Sequence, residues 1–162
     1  MTTFTDTMTK AVGVLTSTGV FTDTQTIVIG AKTYTTQATL TDVDGNVHIG
    51  ASAALTITNL VAAIMLDNSG ESAVGAGTDY AASMTRNPLV DAVATSATVL
   101  TITARVAGAY ANHIPTTETQ TNASWGAAVM ASGAGSVGQA MDDIVARSSP
   151  NSDILQALGL IA

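Results

Sequence analysis

Polar and apolar residues alternate in two parts of the chain, and the first of these predicts a β-hairpin. The runs TIVI (26–29) and KTYTT (32–36) are rich in β-branched residues, and Gly30 opens the two-residue connection between them. A Gly-X pair at this position suits a type II′ turn. Ile27 then points to one face of the hairpin, and Tyr34 is its natural aromatic partner on the opposite strand.

A second hairpin is predicted where LVDAVA and TVLTITARV flank a turn at residues 95–98. In the second of these runs the side chains separate cleanly into two sets, which indicates a sheet with one face on a core. The set expected to face the core consists of Leu100, Ile102, Ala104 and Val106.

Between the hairpins, the stretch ASAALTITNLVAAIMLDN has apolar residues at helical spacing. Ser52 is the predicted N-cap, because a serine oxygen can accept a hydrogen bond from the first free backbone N–H groups. Asn68 and Gly70 are expected to end the helix. The apolar positions of its buried face are Leu55, Ile57, Leu60, Val61, Ile64 and Met65.

This order of elements predicts an α+β fold with a β-hairpin–helix–β-hairpin (ββαββ) core over residues 24–131, in which the sheet packs on the helix. Residues 1–23 are expected to form an N-terminal arm or short helix. Residues 132–162 are expected to form a glycine-rich joint followed by two short C-terminal helices, the second beginning after Pro150. No second domain is predicted, because 162 residues suit a single domain.

The two ends of the chain supply the candidate assembly residues. An apolar stripe near the N-terminus and the apolar C-terminal tail both need a partner surface, on the same chain or on a neighbouring subunit. We therefore predict a homo-oligomer that associates through the N-terminal arm and the C-terminal helix. The candidate residues are Met8, Val12 and Leu15 in the arm and Leu155, Leu158, Leu160 and Ile161 in the tail.

The composition is consistent with subunit association. The chain is rich in Ala and Thr and holds 14 Gly, while aromatic residues make up 4% and charged residues 10%. Soluble domains usually carry about 25% charged residues, so surfaces covered by neighbouring subunits are one explanation. A solvated, Thr-rich β surface is the other.

Charge and targeting patterns exclude several classes of partner. The net charge is −7 with only five Lys and Arg, so neither a run of phosphates nor an anionic membrane surface is an expected partner. The chain has no cysteine, which removes disulfides and thiolate metal sites. The first residues lack a secretion-signal pattern and no apolar run is long enough to span a membrane, so we expect synthesis in the cytoplasm.

The sequence SGAGSVGQAM contains G-x-G-x-x-G at Gly133, Gly135 and Gly138, the spacing of a dinucleotide-binding loop. That loop requires a following parallel strand and an acidic residue about 20 positions on. Only 24 residues follow Gly138, and they read as helices. We interpret the glycines as a flexible lead into a helix, and no cofactor is predicted.

The other candidate metal-binding, catalytic and sugar-binding residues are better explained by structural roles. The turn DVDGN offers Asp42 and Asp44 but lacks the spacing of an EF-hand, so a tight turn is preferred to a looser calcium site. His48 and His113 have no metal-ligand neighbours in sequence, and no serine-hydrolase motif accompanies them. Trp125 is expected to be a core residue rather than a platform for a sugar. No catalytic or metal-binding residue is predicted.

The order of several short motifs resembles a module that recurs in virion proteins of tailed bacteriophages and their prophages. The module combines an I-G-x-K-x-Y hairpin, a V-x-I-G lead to a small-residue helix, a second hairpin, and a G-x-x-x-N-x-I turn before a Thr-rich stretch and Trp-Gly. The resemblance covers about residues 26–130. The matching positions are Ile29, Gly30, Lys32, Tyr34, Val47, Ile49, Gly50, Leu60, Ile64, Gly108, Asn112, Ile114, residues 116–119, Trp125 and Gly126.

The resemblance implies a non-enzymatic structural protein that self-associates in a virion, without assigning it to one part of the particle. We predict the tail or its fibre and baseplate attachments, with other virion proteins as partners. A capsid decoration (cement) or head-fibre protein is the nearest alternative. A carbohydrate-binding adhesin module and a small hydrolase are the alternatives from other classes. The resemblance brings no catalytic, metal or cofactor residues with it.

Overall fold

The computed structural model describes residues 8–135, which form an α+β domain. The described part contains eight strands, one α-helix and one short 3-10 helix. In chain order they are β1 (Val12–Ser17), β2 (Thr26–Ile29), β3 (Lys32–Gln37), β4 (Asn46–His48), α1 (Ala53–Met65), β5 (Val90–Ser96), β6 (Val99–Ala104), the 3-10 helix (Ala109–His113), β7 (Thr116–Glu118) and β8 (Ala123–Trp125).

The strands form two four-stranded sheets with the orders β4-β3-β2-β7 and β5-β6-β1-β8. Neighbouring strands are antiparallel except β3 and β4. The segment after β8 joins the two sheets. On one side the N–H of Val12 donates to the carbonyl of Ala131, and on the other the N–H of Met130 donates to the carbonyl of Ile114.

Helix α1 packs mainly against β5 and also contacts β4 and β6. It therefore lies between the edge strands of the two sheets and covers the apolar interior. The helix begins at Ser52, whose hydroxyl oxygen accepts a hydrogen bond from the N–H of Leu55. It ends at Leu66, which adopts the left-handed conformation (φ 59°). The predicted cap is confirmed, and the helix stops before Asn68.

One core fills the space between the sheets and the helix. Side chains from the inner faces of both sheets meet the apolar face of α1 there, as expected for layers that each bury one face. Its largest fully buried members are Leu15, Ile27, Ile29, Tyr34, Ile57, Leu60, Ile64, Leu100, Ile102 and Met130.

Both predicted hairpins are confirmed, and so are details of the first. Gly30 has φ 65° while Ala31 is not among the residues of positive φ, which agrees with a type II′ turn. Ile27 pairs with Tyr34 across the hairpin. In the second hairpin the expected inward set is right for Leu100, Ile102 and Ala104 but wrong for Val106, which follows the end of β6 and is exposed.

The single-sheet ββαββ core is not what forms. The hairpin β2–β3 belongs to one sheet and the hairpin β5–β6 to the other. The reason lies outside the hairpins: β1 pairs with β6, and β7 pairs with β2. Each hairpin thus has a third strand from a distant part of the chain as its neighbour, and the two hairpins do not pair with each other.

The N-terminal arm or short helix is also corrected over Val12–Ser17, which form β1 in the interior of a sheet. Leu15 points into the core and is fully buried, while Val12 lies on the opposite face of the strand. A helical stripe would have placed both residues on one side. The predicted C-terminal helices lie outside the described residues.

Candidate interaction surfaces

The solvent side of the sheet β5-β6-β1 carries an uncharged set of residues, which we call the outer face. Alternation along each strand places these side chains opposite the core. The strand register aligns them in rows, with Val12 beside Thr103 and Val14 beside Thr101. The outer face consists of Val12, Val14, Thr16, Val93, Thr95, Val99, Thr101 and Thr103.

Apolar side chains are exposed to solvent on the outer face. Val14 is 38% exposed and Val93 is 51% exposed, and both flank Thr101 in the register. The hydroxyls of Thr95 and Thr101 lie 3.0 Å apart and can bond to each other. Each hydroxyl can therefore be satisfied without a hydrogen bond to a partner.

Charge is confined to one end of the outer face. There Asp91 pairs with Arg105 (Oδ1 to Nε, 3.0 Å) and with Arg86 (Oδ1 to Nη2, 3.2 Å). An antiparallel sheet with one solvated face normally alternates apolar residues with polar ones directed outward. Here about half of the outward positions are valine, so the face suits contact with another β-branched surface.

A second apolar surface lies where the chain enters β5 and leaves β6. Leu89, Val106 and Tyr110 are 39%, 63% and 56% exposed, and they border a cavity of about 70 Å³ together with Pro88 and Ile114. We call these five residues the groove. The groove is uncharged and forms an apolar surface separate from the outer face.

Leu89 also borders a larger pocket of about 540 Å³, whose lining combines apolar residues with a polar group of Lys32, Asp44 and Thr85. In it the ammonium group of Lys32 donates to the carboxylate of Asp44 (2.7 Å) and to the hydroxyl of Thr85 (2.7 Å). Burial acts to raise the pKa of Asp44, but the hydrogen bonds from Lys32 and Thr85 outweigh it and lower the pKa to about 2. The polar groups of this pocket thus largely satisfy one another.

The acidic turn has a structural role in the same region. The carboxylate of Asp42 accepts from the N–H of Ser83, and that of Asp44 accepts from the N–H of Thr85. The hydrogen bond from the backbone of Ser83 lowers the pKa of Asp42. Gly45 has φ 96°, and a Cβ there would lie 2.3 Å from the carbonyl oxygen of Thr33. The turn therefore anchors the loop before β5.

The remaining candidates for chemistry do not assemble in the described part of the chain. Residues 8–135 contain no group of three or more His, Asp or Glu side chains placed to hold a metal ion. Trp125 packs in the core with 9% of its surface exposed, and its indole N–H donates to the carbonyl of Thr117. Little of the ring is left for stacking on a sugar.

The glycine-rich sequence is tightly bonded in its described half. Gly133 exchanges two hydrogen bonds with the side chain of Asn112, and the carbonyl of Gly135 accepts from the N–H of Ala109. A Cβ on Gly133 would lie 2.5 Å from the carbonyl oxygen of Gly108. Gly133 thus allows two backbone segments to approach closely. The interpretation as a flexible lead into a helix is therefore wrong for Gly133, whose backbone is held by hydrogen bonds. Gly138 lies outside the described residues.

The predicted assembly residues occupy different environments. Leu15 is fully buried in its own chain and is not available to a partner. Val12 belongs to the outer face, and Met8 is half-buried beside Gly135. The tail residues Leu155, Leu158, Leu160 and Ile161 lie outside the described residues.

Sequence reasoning missed both surfaces for identifiable reasons. The alternation of β6 is visible in the sequence, but it does not show that the Thr- and Val-rich solvent side continues across neighbouring strands. The contribution of Val14 could not be seen without recognising β1 as a strand. The groove brings Leu89 and Val106 together with Tyr110 through the fold, and no local pattern marks it.

No protein-family model, curated protein or solved structure matches this chain. Within residues 8–135, α1 spans only 13 residues, and no helix has the length and apolar character required to cross a membrane.

Proposed function

We propose that this protein is a non-enzymatic structural component of a tailed-phage virion and that it self-associates through the outer face. The observation that carries the proposal is the solvent side of β5-β6-β1, where valine fills about half of the outward positions and charge is confined to one end. Val14 and Val93 are exposed to water on this side, so their burial against a partner would lower the free energy.

A second copy of the same surface is the partner that fits best. Two sheets pack face to face at about 10 Å when both present apolar, β-branched side chains. A homo-oligomer contact of two-fold symmetry uses the same patch on both subunits, so the patch must be self-complementary. Most of the outer face is uncharged and meets this condition, and its charge is confined to the end where Asp91 lies beside Thr103. Asp91 and Arg105 at its end offer opposite charges that an antiparallel pairing can match.

The virion assignment rests on the resemblance of residues 26–130 to virion proteins of tailed phages. The low fraction of charged residues, 10%, supports a protein whose surface is covered by neighbours. The proposed location is the tail or its fibre and baseplate attachments, and the proposed partners are other copies and other virion proteins. Capsid decoration is the alternative location, because a small Ala- and Thr-rich protein suits it equally.

The experiment that tests this function is sedimentation of phage particles from lysed host cells through a density gradient. An antibody against the protein should detect it in the particle fractions, and gold-labelled antibody should then place it on the tail or on the head by electron microscopy. Detection only in the fractions of free protein would contradict a virion role. Labelling of the head would replace the tail location by the decoration alternative.

A further inference from the structure

We propose that the groove is the docking site for the apolar tail, residues 154–162, of a neighbouring copy. This inference rests on the proposed self-association and names a second contact that completes it. The groove supplies the receiving surface, and Leu155, Leu158, Leu160 and Ile161 supply the side chains that fill it.

The groove has the chemistry of an aliphatic docking site. Val106 and Tyr110 each expose more than half of their surface, and Leu89 borders both the groove and the larger pocket beside it. The buried Ala104 and Ala111 line the cavity of about 70 Å³ together with the groove residues. Burial of such side chains contributes about 25 cal/mol per Å² of apolar area removed from water. Aliphatic side chains without charge are therefore its preferred occupants.

The described chain ends beside this groove. The carbonyl of Gly135 accepts a hydrogen bond from the N–H of Ala109, the residue before Tyr110. A Cβ on Gly108 would touch both the ring of Tyr110 and the carbonyl oxygen of Gly135. The chain after Gly135 thus starts at the rim of the groove and leads towards the tail.

The tail matches the groove in composition and reach. The sequence ILQALGLIA holds no charged side chain and contains five Leu or Ile. Leu155 follows Gly135 by about 20 residues, a length that spans about 30 Å as helix and about 65 Å if extended. Either length allows the tail to meet the groove of an adjacent subunit.

The size of the outer face favours docking between copies over docking within one. Three strands about 4.8 Å apart and about 20 Å long give a footprint of about 300 Å². Stable interfaces bury about 800 Å² per partner. The outer face alone is therefore smaller than a standard stable interface, and a second contact between copies would enlarge it. A tail exchanged between copies adds apolar area to each subunit contact, and two linked contacts strengthen one another.

The absence of cysteine from the chain allows a direct test by disulfide trapping in the full-length protein. The variant Val106→Cys/Leu160→Cys places one thiol in the groove and one in the tail. Val74→Cys/Leu160→Cys is the matched control, because Val74 is 57% exposed against 63% for Val106 and does not border the groove. A third variant, Tyr110→Cys/Leu160→Cys, repeats the test at a second groove position. Mild oxidation and a non-reducing gel give the readout.

We expect covalent dimers and higher multimers from both groove variants, at least about tenfold more than from the control, because docking raises the effective thiol concentration. A monomer with a disulfide bond inside one chain would overturn the exchange of tails between copies. If neither groove variant gives more disulfide-linked dimer than the control, the groove is not the docking site. Light scattering of the wild-type protein separates the two proposals. An oligomer without trapping contradicts only the tail contact, whereas a monomeric wild type contradicts self-association itself.

Discussion

Asn112 holds Gly133 by two hydrogen bonds. Its Oδ1 accepts from the N–H of Gly133 at 2.8 Å, and its Nδ2 donates to the carbonyl of the same residue at 3.0 Å. A single amide side chain thus satisfies both backbone groups of one residue 21 positions away. The contact fixes the end of the described chain against the 3-10 helix, next to the groove.

Replacing Asn112 with alanine should lower the free energy of unfolding by about 2 kcal/mol, because each of the two partly buried hydrogen bonds contributes about 1 kcal/mol. Urea denaturation followed by circular dichroism measures this change. Asn122→Ala is the control, since its side chain makes one exposed bond to the carbonyl of Val20. An equal loss in both variants would contradict a special role for Asn112.

Gly133→Ala should destabilise the domain by about 1–3 kcal/mol, because overpacking forces the backbone apart. The added Cβ would lie 2.5 Å from the carbonyl oxygen of Gly108 and 2.9 Å from Oδ1 of Asn112. In Gly126→Ala the nearest atom is 3.7 Å away, so that variant should be tolerated. The same denaturation experiment checks both. A flexible joint would give the opposite result, since alanine then restricts only the unfolded chain.

Tyr34→Phe should leave the free energy of unfolding unchanged or raise it by up to about 1 kcal/mol. Within the described part of the chain, the buried hydroxyl of Tyr34 makes no hydrogen bond of good geometry, although the side chain of Asn87 is near enough to act on its pKa. Tyr80→Phe is the contrasting variant, because that hydroxyl donates to the carbonyl of Asp67 at 3.0 Å. We expect a loss of about 1 kcal/mol in Tyr80→Phe. Thermal unfolding of both variants and the wild type provides the comparison.

Asp44 should make stability depend on acid pH. Its folded pKa is about 2, below the ordinary value of about 3.9 that it has when unfolded. A depressed pKa stabilises the folded state above the unfolded value, and this contribution is lost as the pH falls through about 2. Its amplitude is reduced by solvent, because the side chain is 47% exposed.

The carboxyl resonance of Asp44, followed by NMR from pH 5 to pH 1.5, measures this pKa directly. Lys32→Met should move the pKa up towards its ordinary value, because it removes the ammonium donor. Asp44→Asn should flatten the corresponding part of the stability curve between about pH 4 and pH 2. A midpoint near 4 in the wild-type protein would show that the pairing with Lys32 does not hold in solution.

Local patterns predicted the hairpins and the helix because their signals lie within a few residues. Gly30 determines its turn through its own positive φ, and Ser52 caps the helix that begins beside it. Neither feature depends on distant contacts. Periodicity also predicted the buried positions Ile57, Leu60 and Ile64 of α1, whereas the predicted Leu55, Val61 and Met65 are only half-buried.

The identity of β1 could not be read from its pattern because two of its three inward residues are small, with Leu15 the exception. Gly13 and Ser17 are buried, while Val14 on the outer face is more apolar than either. A Cβ on Gly13 would lie 3.0 Å from Ile102, so the core closes directly over the glycine. The outward residues of β1 are thus about as apolar as the inward ones, so the alternation does not mark a buried face. The apolar residues instead suggested a helical stripe.

The division into two sheets depends on pairings between distant parts of the chain. Val12 pairs with Thr103, about 90 residues later, and Ile27 with Glu118. No local propensity encodes such partners. The outer face could not be predicted for the same reason, because it forms only when β1 pairs with β6. Of the outer face, the sequence predicted the alternation of β6, whereas Val12 was expected in an arm or short helix and its role in assembly stays a prediction.

The central claim, self-association through the outer face, is tested most directly by the molar mass in solution. Multi-angle light scattering of the wild-type protein should give a multiple of the 16.2 kDa chain mass. Val14→Lys/Val93→Lys should reduce the mass to that of one chain with unchanged circular dichroism, because lysine charges repel across the paired faces. Val74→Lys should retain the oligomer. A monomeric wild type, or an unchanged oligomer in Val14→Lys/Val93→Lys, would contradict the account.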